Sequence, residues 1–170
     1  NSPEPLELIA RYGADAVRLY EMFMGPLTQV KPWSTHGVEG VYRFLQRVWR
    51  LFVDAEGRIS SQLRDVEPEL EQKKILHKTI KKVAGDIESL SFNTAISQMM
   101  IFVNEMTPLE VRPRIILERF VLVLAPFAPH LAEELWEKLG YTTSLAKVPF
   151  PEYDEALTVD DQVTVVLQVN

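Results

Sequence analysis

The stretch Ile75-Leu76-His77-Lys78-Thr79-Ile80-Lys81-Lys82-Val83 decides the fold class. At about 100° per residue, Ile75, Leu76, Thr79, Ile80 and Val83 fall on one side of a helix, while Lys73, Lys74, His77, Lys78, Lys81 and Lys82 fall on the other. This predicts an amphipathic helix near Glu69–Leu90, after a polar link that ends at Glu67-Pro68. Upstream, Val41, Phe44, Leu45, Val48, Leu51 and Phe52 recur at helical period over about Val38–Asp54. Ser34 or Thr35 can cap that helix, and Gly57 closes it. Before it, Ser2-Pro3-Glu4-Pro5 opens a segment carrying Leu6, Ile9, Ala10, Ala14, Val17, Leu19 and Tyr20. Gly13 is placed to split that segment, and Gly25-Pro26 to end it.

Downstream, Ser91-Phe92-Asn93 leads into a helix with Ala95, Ile96, Met99, Met100, Phe102 and Val103, broken at Thr107-Pro108. Arg114–Leu124 is apolar nearly all round and is expected to be central. Pro126 and Pro129 punctuate a last helix with Leu131, Ala132, Leu135, Trp136 and Leu139, stopped by Gly140. Helices joined by short links predict an all-α fold, an antiparallel helical bundle. The exception is Val163-Thr-Val-Val-Leu-Gln-Val169, a β-branched run that reads as one short strand at the C-terminus. No other stretch reads as a strand, so the ladder partners of this run are expected in a longer protein. Asn rather than Met at residue 1 fits the same expectation.

The 170 residues are 46% hydrophobic and 25% charged, the composition of an ordinary globular protein rather than a disordered or low-complexity one. No apolar run has the roughly 18–20 residues of a membrane span. Cys is absent, which removes disulfides, thiolate metal sites and a Cys nucleophile, and suits a reducing compartment. His36, His77 and His130 are scattered, which argues against a zinc centre. His130, Glu133 and Glu134 share one helix, but without a second His the set reads as structural, with acid favoured in the first turn of a helix. Gly37-Val-Glu-Gly40 is too short to cradle phosphate and reads as a helix opening, and Asp160-Asp161 sits in a polar link. No catalytic or metal site is expected.

The net charge is −6, yet residues 41–90 carry 10 basic against 8 acidic groups and are the one region where bases lead. Two features stand out there. Arg43, Arg47 and Arg50 lie at i, i+4 and i+7, a single stripe whose guanidinium forks suit phosphate. Lys74, Lys78, Lys81 and Lys82 form the second, on the polar face of the 69–90 helix. A solvated face is the competing reading for the lysines, and packing or ion pairing for the arginines. Little exposed aromatic material is expected on the same faces for stacking bases.

Tyr12-Gly-Ala-Asp-Ala-Val-Arg-Leu-Tyr20 resembles the helix that follows the KMSKS loop of class I aminoacyl-tRNA synthetases, and Leu124-Ala-Pro-Phe-Ala-Pro-His-Leu-Ala-Glu-Glu-Leu-Trp136 resembles the last helix pair of their anticodon-binding domain. Met22-Phe-Met-Gly-Pro26, Trp33-Ser34, Gly37-Val-Glu-Gly-Val-Tyr-Arg-Phe-Leu-Gln-Arg-Val-Trp49, Phe92-Asn-Thr-Ala-Ile-Ser97 and Val165-Val-Leu-Gln-Val-Asn170 are similar to the leucyl-tRNA synthetase family in particular. The resemblance implies a connection following the catalytic domain at 1–34, a helical anticodon-binding domain at 35–158 and the start of a C-terminal domain at 159–170. It implies a cytoplasmic parent that ligates leucine to leucine tRNA with ATP and Mg and edits mischarged tRNA. These residues would touch the tRNA body and, lacking HIGH-like and KMSKS-like strings, hold no cofactor and no catalytic residue. Its partners would be leucine tRNA and the other domains of the same chain, with no membrane. The same domain of a valyl or isoleucyl enzyme, or a helical protein–protein adaptor, are the alternatives.

Overall fold

Pro5 stands in the first turn of the first helix, where its missing N–H removes no helical bond. The computed structural model describes residues 4–159. Among these, the chain runs through α1 (Pro5–Tyr12), α2 (Ala14–Phe23), α3 (Thr35–Phe52), a two-residue strand β1 (Leu63–Arg64), α4 (Leu70–Glu88) and α5 (Phe92–Met106). A second two-residue strand, β2 (Arg112–Pro113), leads directly into α6 (Arg114–Leu124) and α7 (Pro129–Lys138), and single 3-10 turns follow at Leu145–Lys147 and Glu155–Leu157. Gly13 divides α1 from α2 with φ 85°, a left-handed value that a side chain resists.

The periodic faces form one core. Val41, Phe44, Leu45, Val48, Leu51 and Phe52 of α3 share one buried cluster with Ile96, Met99, Phe102 and Val103 of α5 and Ile116, Leu117, Phe120, Val121, Val123 and Leu124 of α6. Phe102 stacks on Phe120 with centroids 4.3 Å apart. Leu76, Ile80 and Val83 turn α4 into this core, and Thr79 joins them fully buried. Its hydroxyl donates to the Ile75 carbonyl at 2.7 Å and accepts from the Gln98 amide at 3.1 Å, so the buried oxygen is satisfied. In α1 the buried residues are Leu8 and Tyr12, while Leu6 and Ile9 face outward.

Two expectations are corrected. The chain does hold strands before residue 163. β1 and β2 pair in parallel, Leu63 opposite Arg112 and Arg64 opposite Pro113. The Arg112 side chain is buried at this pair. Its Nε donates to the Met106 carbonyl (3.1 Å), Nη1 to the Leu51 carbonyl (3.3 Å) and Gln62 Oε1 (3.0 Å), and Nη2 to the Thr107 carbonyl (3.0 Å). The run Val163–Val169 lies outside the described residues. The second correction is the end of α3, which stops at Phe52 rather than Asp54. Val53 bridges to Ile59, and the Asp54 carboxylate takes the backbone N–H groups of Glu56 and Arg58 at 3.0 and 2.9 Å, which folds the chain back.

Candidate nucleic-acid interface

The start of α3 is fixed by Tyr20 of α2. The Ser34 N–H donates to the Tyr20 hydroxyl at 2.8 Å, and the Tyr20 ring meets Trp33 edge-on at 4.9 Å. Gly37 lets α3 come this close, because a Cβ there would lie 2.3 Å from Tyr20 Cε2. Ser34 occupies the N-cap position without a side-chain capping bond. The other end of α3 is held by Arg112 through the Leu51 carbonyl. The helix is therefore a rigid platform, anchored at both ends, for whatever its outer face carries.

That face carries the arginine stripe. Arg43 and Arg50 are exposed and, among the described residues, have no acidic partner. Arg47 is half-buried, and its guanidinium donates to the Asn104 side-chain carbonyl on α5. Sequence reasoning missed a second stripe one residue earlier. Tyr42, Gln46 and Trp49 repeat the same i, i+4, i+7 spacing and line a groove of about 430 Å³ with Tyr12, Leu45 and His130. Tyr42 packs edge-on against Tyr12 at 5.6 Å. The Lys138 ammonium lies 5.5 Å above the Trp49 ring, and the Arg11 guanidinium 5.0 Å above Tyr12. Half-buried aromatic surface thus lines this groove beside the arginines.

The lysine face of α4 is largely engaged. Lys73 pairs with Glu67 at 2.5 Å, Lys74 with Glu71 at 3.7 Å and Lys82 with the buried Asp86 at 2.7 Å. Lys74 and Lys78 lie in a groove that also holds Glu71 and Glu105. Lys81 pairs with Glu155 and sits 5.9 Å above the Tyr153 ring. The Asp154 N–H donates to His77 Nδ1 at 2.8 Å. Residues 153–158 thus form an acidic strap across Lys81 and His77. Burial, then the Arg119 cation, holds the His77 imidazole below its ordinary value of 6.5, with Asp154 acting in opposition.

The candidate acids and His130 have other occupations. Asp15, buried on α2, accepts the Leu131 N–H at 2.7 Å and the His130 N–H at 3.3 Å, and its Oδ1 lies 2.8 Å from His130 Nδ1. It supplies from α2 the cap that α7 lacks locally. Glu133 accepts the Ser144 hydroxyl at 2.6 Å, a bond that lowers its carboxyl below the usual range. Glu134 lies 3.7 Å from Lys138. Asp160 and Asp161 lie outside the described residues. Among the described residues no helix is long and apolar enough to cross a membrane, and no cluster of three or more His, Asp or Glu is arranged to hold a metal ion.

The sequence of this helical fold matches a known family. Residues 73–170 match the family model of the anticodon-binding domain of tRNA ligase, and the chain belongs to that family. Curated relatives that it matches include leucine–tRNA ligases. It is 56% identical over 170 residues to that of Leptospira biflexa serovar Patoc, covering 100% of this chain and 20% of that protein. It is 54% identical over 163 residues to that of Chloroherpeton thalassium, covering 96% and 20%. The chain thus spans about a fifth of the length of these relatives. A crystal structure of the ternary complex of Agrobacterium radiobacter K84 agnB2 LeuRS with tRNA and LeuAMS superposes with a TM-score of 0.75 at 32% identity, over 92% of this chain and 22% of that one.

Proposed function

We propose that the chain is the tRNA-contacting helical module of a cytoplasmic leucine–tRNA ligase. The parent would join leucine to leucine tRNA at the expense of ATP with Mg, and edit mischarged tRNA, in parts of the protein beyond these residues. Within the chain, residues 1–34 would connect to the catalytic domain, 35–158 would form an antiparallel bundle, and 159–170 would open a further domain with a strand at 163–169. The module itself performs no chemistry and grips the tRNA body through phosphates. The observation that carries the reading is the pair Arg43 and Arg50, exposed on one face of α3 with no acidic partner among the described residues. Arg47 joins them by exchanging Asn104 for a phosphate. Lys74, Lys78, Lys81 and Lys82 would contribute from α4, Lys81 only after the strap lifts.

Phosphate contacts release counterions and carry no sequence information. Arg43→Gln or Arg50→Gln should therefore weaken binding of a leucine tRNA transcript, equally for each isoacceptor. Each should flatten the slope of log K against log salt by roughly 0.7–0.9 for every phosphate no longer neutralised. Salt titrations of the two variants check this, and unchanged slopes in both would remove α3 from the interface.

A further inference from the structure

We propose that the groove between the α1–α2 junction, α3 and α7 seats one unstacked nucleobase of the bound RNA, with the Tyr42 and Trp49 rings as its platform. This rests on the tRNA reading above and adds an interaction that phosphate neutralisation does not supply. The volume, about 430 Å³, lies within the range of small-ligand sites. The walls are aromatic and apolar, from Tyr12, Tyr42, Leu45 and Trp49, with the half-buried Gln46 amide among them to donate to and accept from a base edge. The Asp15 carboxylate also lines the groove, but it is already taken by the His130 and Leu131 groups and offers little repulsion.

The surroundings argue for RNA as the occupant. Lys138 and Arg11 stand over aromatic rings of the wall, and the exposed His130 lies at its edge. On α3, Arg50 follows Gln46 by one turn, about 40° further round the helix. A strand whose phosphates track Arg43 and Arg50 therefore passes the mouth of the groove. A flat ring with a polar edge, linked to anionic groups on either side, complements both the walls and the rim. Stacking accepts every base, so such a seat strengthens binding without selecting a sequence.

The test compares variants of the chain for binding to a leucine tRNA transcript. Trp49→Leu should weaken binding about tenfold, as expected when one base stack is removed, with the salt slope unchanged. Trp49→Phe, which keeps an aromatic face, should restore most of it. Should Trp49→Leu fail to fold, Gln46→Trp carries the test, since it fills the groove from the surface and should weaken binding comparably. Unchanged affinity in folded Trp49→Leu, or in Gln46→Trp, overturns the proposal. That is also the result if another protein segment occupies the groove. Arg43→Gln measured in parallel separates the two ideas. A lower slope there, with inert Trp49 variants, leaves the tRNA reading standing and removes the base seat. No binding by the unaltered chain removes both.

Discussion

Gly37 and Gly40 sit three residues apart in the same helix, and nothing in their sequence surroundings distinguishes them. The structure does. A Cβ at Gly37 meets the buried Tyr20 ring at 2.3 Å, whereas one at Gly40 has nothing within 4 Å. Tyr20 cannot swing aside, because its hydroxyl is held by the Ser34 N–H and its ring is wedged against Trp33. Gly37→Ala is therefore expected to destabilise the chain by about 1–3 kcal/mol through overpacking. Gly40→Ala should be neutral or stabilise by about 0.5–1 kcal/mol, since Ala restricts the unfolded helix segment at no steric cost. Urea unfolding midpoints of the two variants would check the pair. The arginines show the same limit of sequence reading. Their spacing was enough to place Arg43, Arg47 and Arg50 on one face, but Asn104, which engages Arg47, lies 57 residues away and carries no local signal.

At the level of elements, the strap over α4 ties a titratable group to docking. His77 accepts the Asp154 N–H through Nδ1, which requires that nitrogen to be unprotonated. Its folded-state value is lowered, chiefly by burial, from an ordinary 6.5. A lowered value means that the unfolded chain binds the proton more readily. The stabilisation is thus present above about pH 6.5 and is lost as pH falls through the folded value. Melting temperature should drop on acidification from about pH 7.5 to 5.5, and His77→Gln should flatten that drop. An identical pH profile in the variant would detach His77 from the strap. The periodicity of α4 was legible because four apolar residues and Thr79 recur at the helical repeat. Its cover was not, since Glu155 lies 74 residues beyond Lys81 and the acidic run near it reads as a polar link. The groove on α3 was legible in principle. Tyr42, Gln46 and Trp49 have the spacing that singled out the arginines, but partly buried aromatics pass for core until the neighbouring helices are in place.

Across the whole molecule, the segment before residue 35 is joined to the rest by more than the chain. Leu8, Tyr12, Ala16 and Leu19 belong to the same apolar cluster as α3, α5 and α7. The Asp15 carboxylate caps α7, and Arg18 donates to the Pro126 carbonyl at 3.0 Å. Asp15→Ala should cost about 1–2 kcal/mol, as removal of a helix cap does, and should lower one cooperative transition seen equally by far- and near-ultraviolet circular dichroism. Separate transitions at the two wavelengths would mean that α1 and α2 melt on their own. Arg112 gives the molecule a joint of another kind. Its acceptors include carbonyls in the last turn or at the cap of α3 and α5, where peptide dipoles leave partial negative charge. One cation answers two helix ends, and no carboxylate takes part. An ionic lock opens when acid protonates it and slackens in brine. This joint has no such handle, so neither acid nor salt is able to unfasten the ends of α3 and α5 from each other.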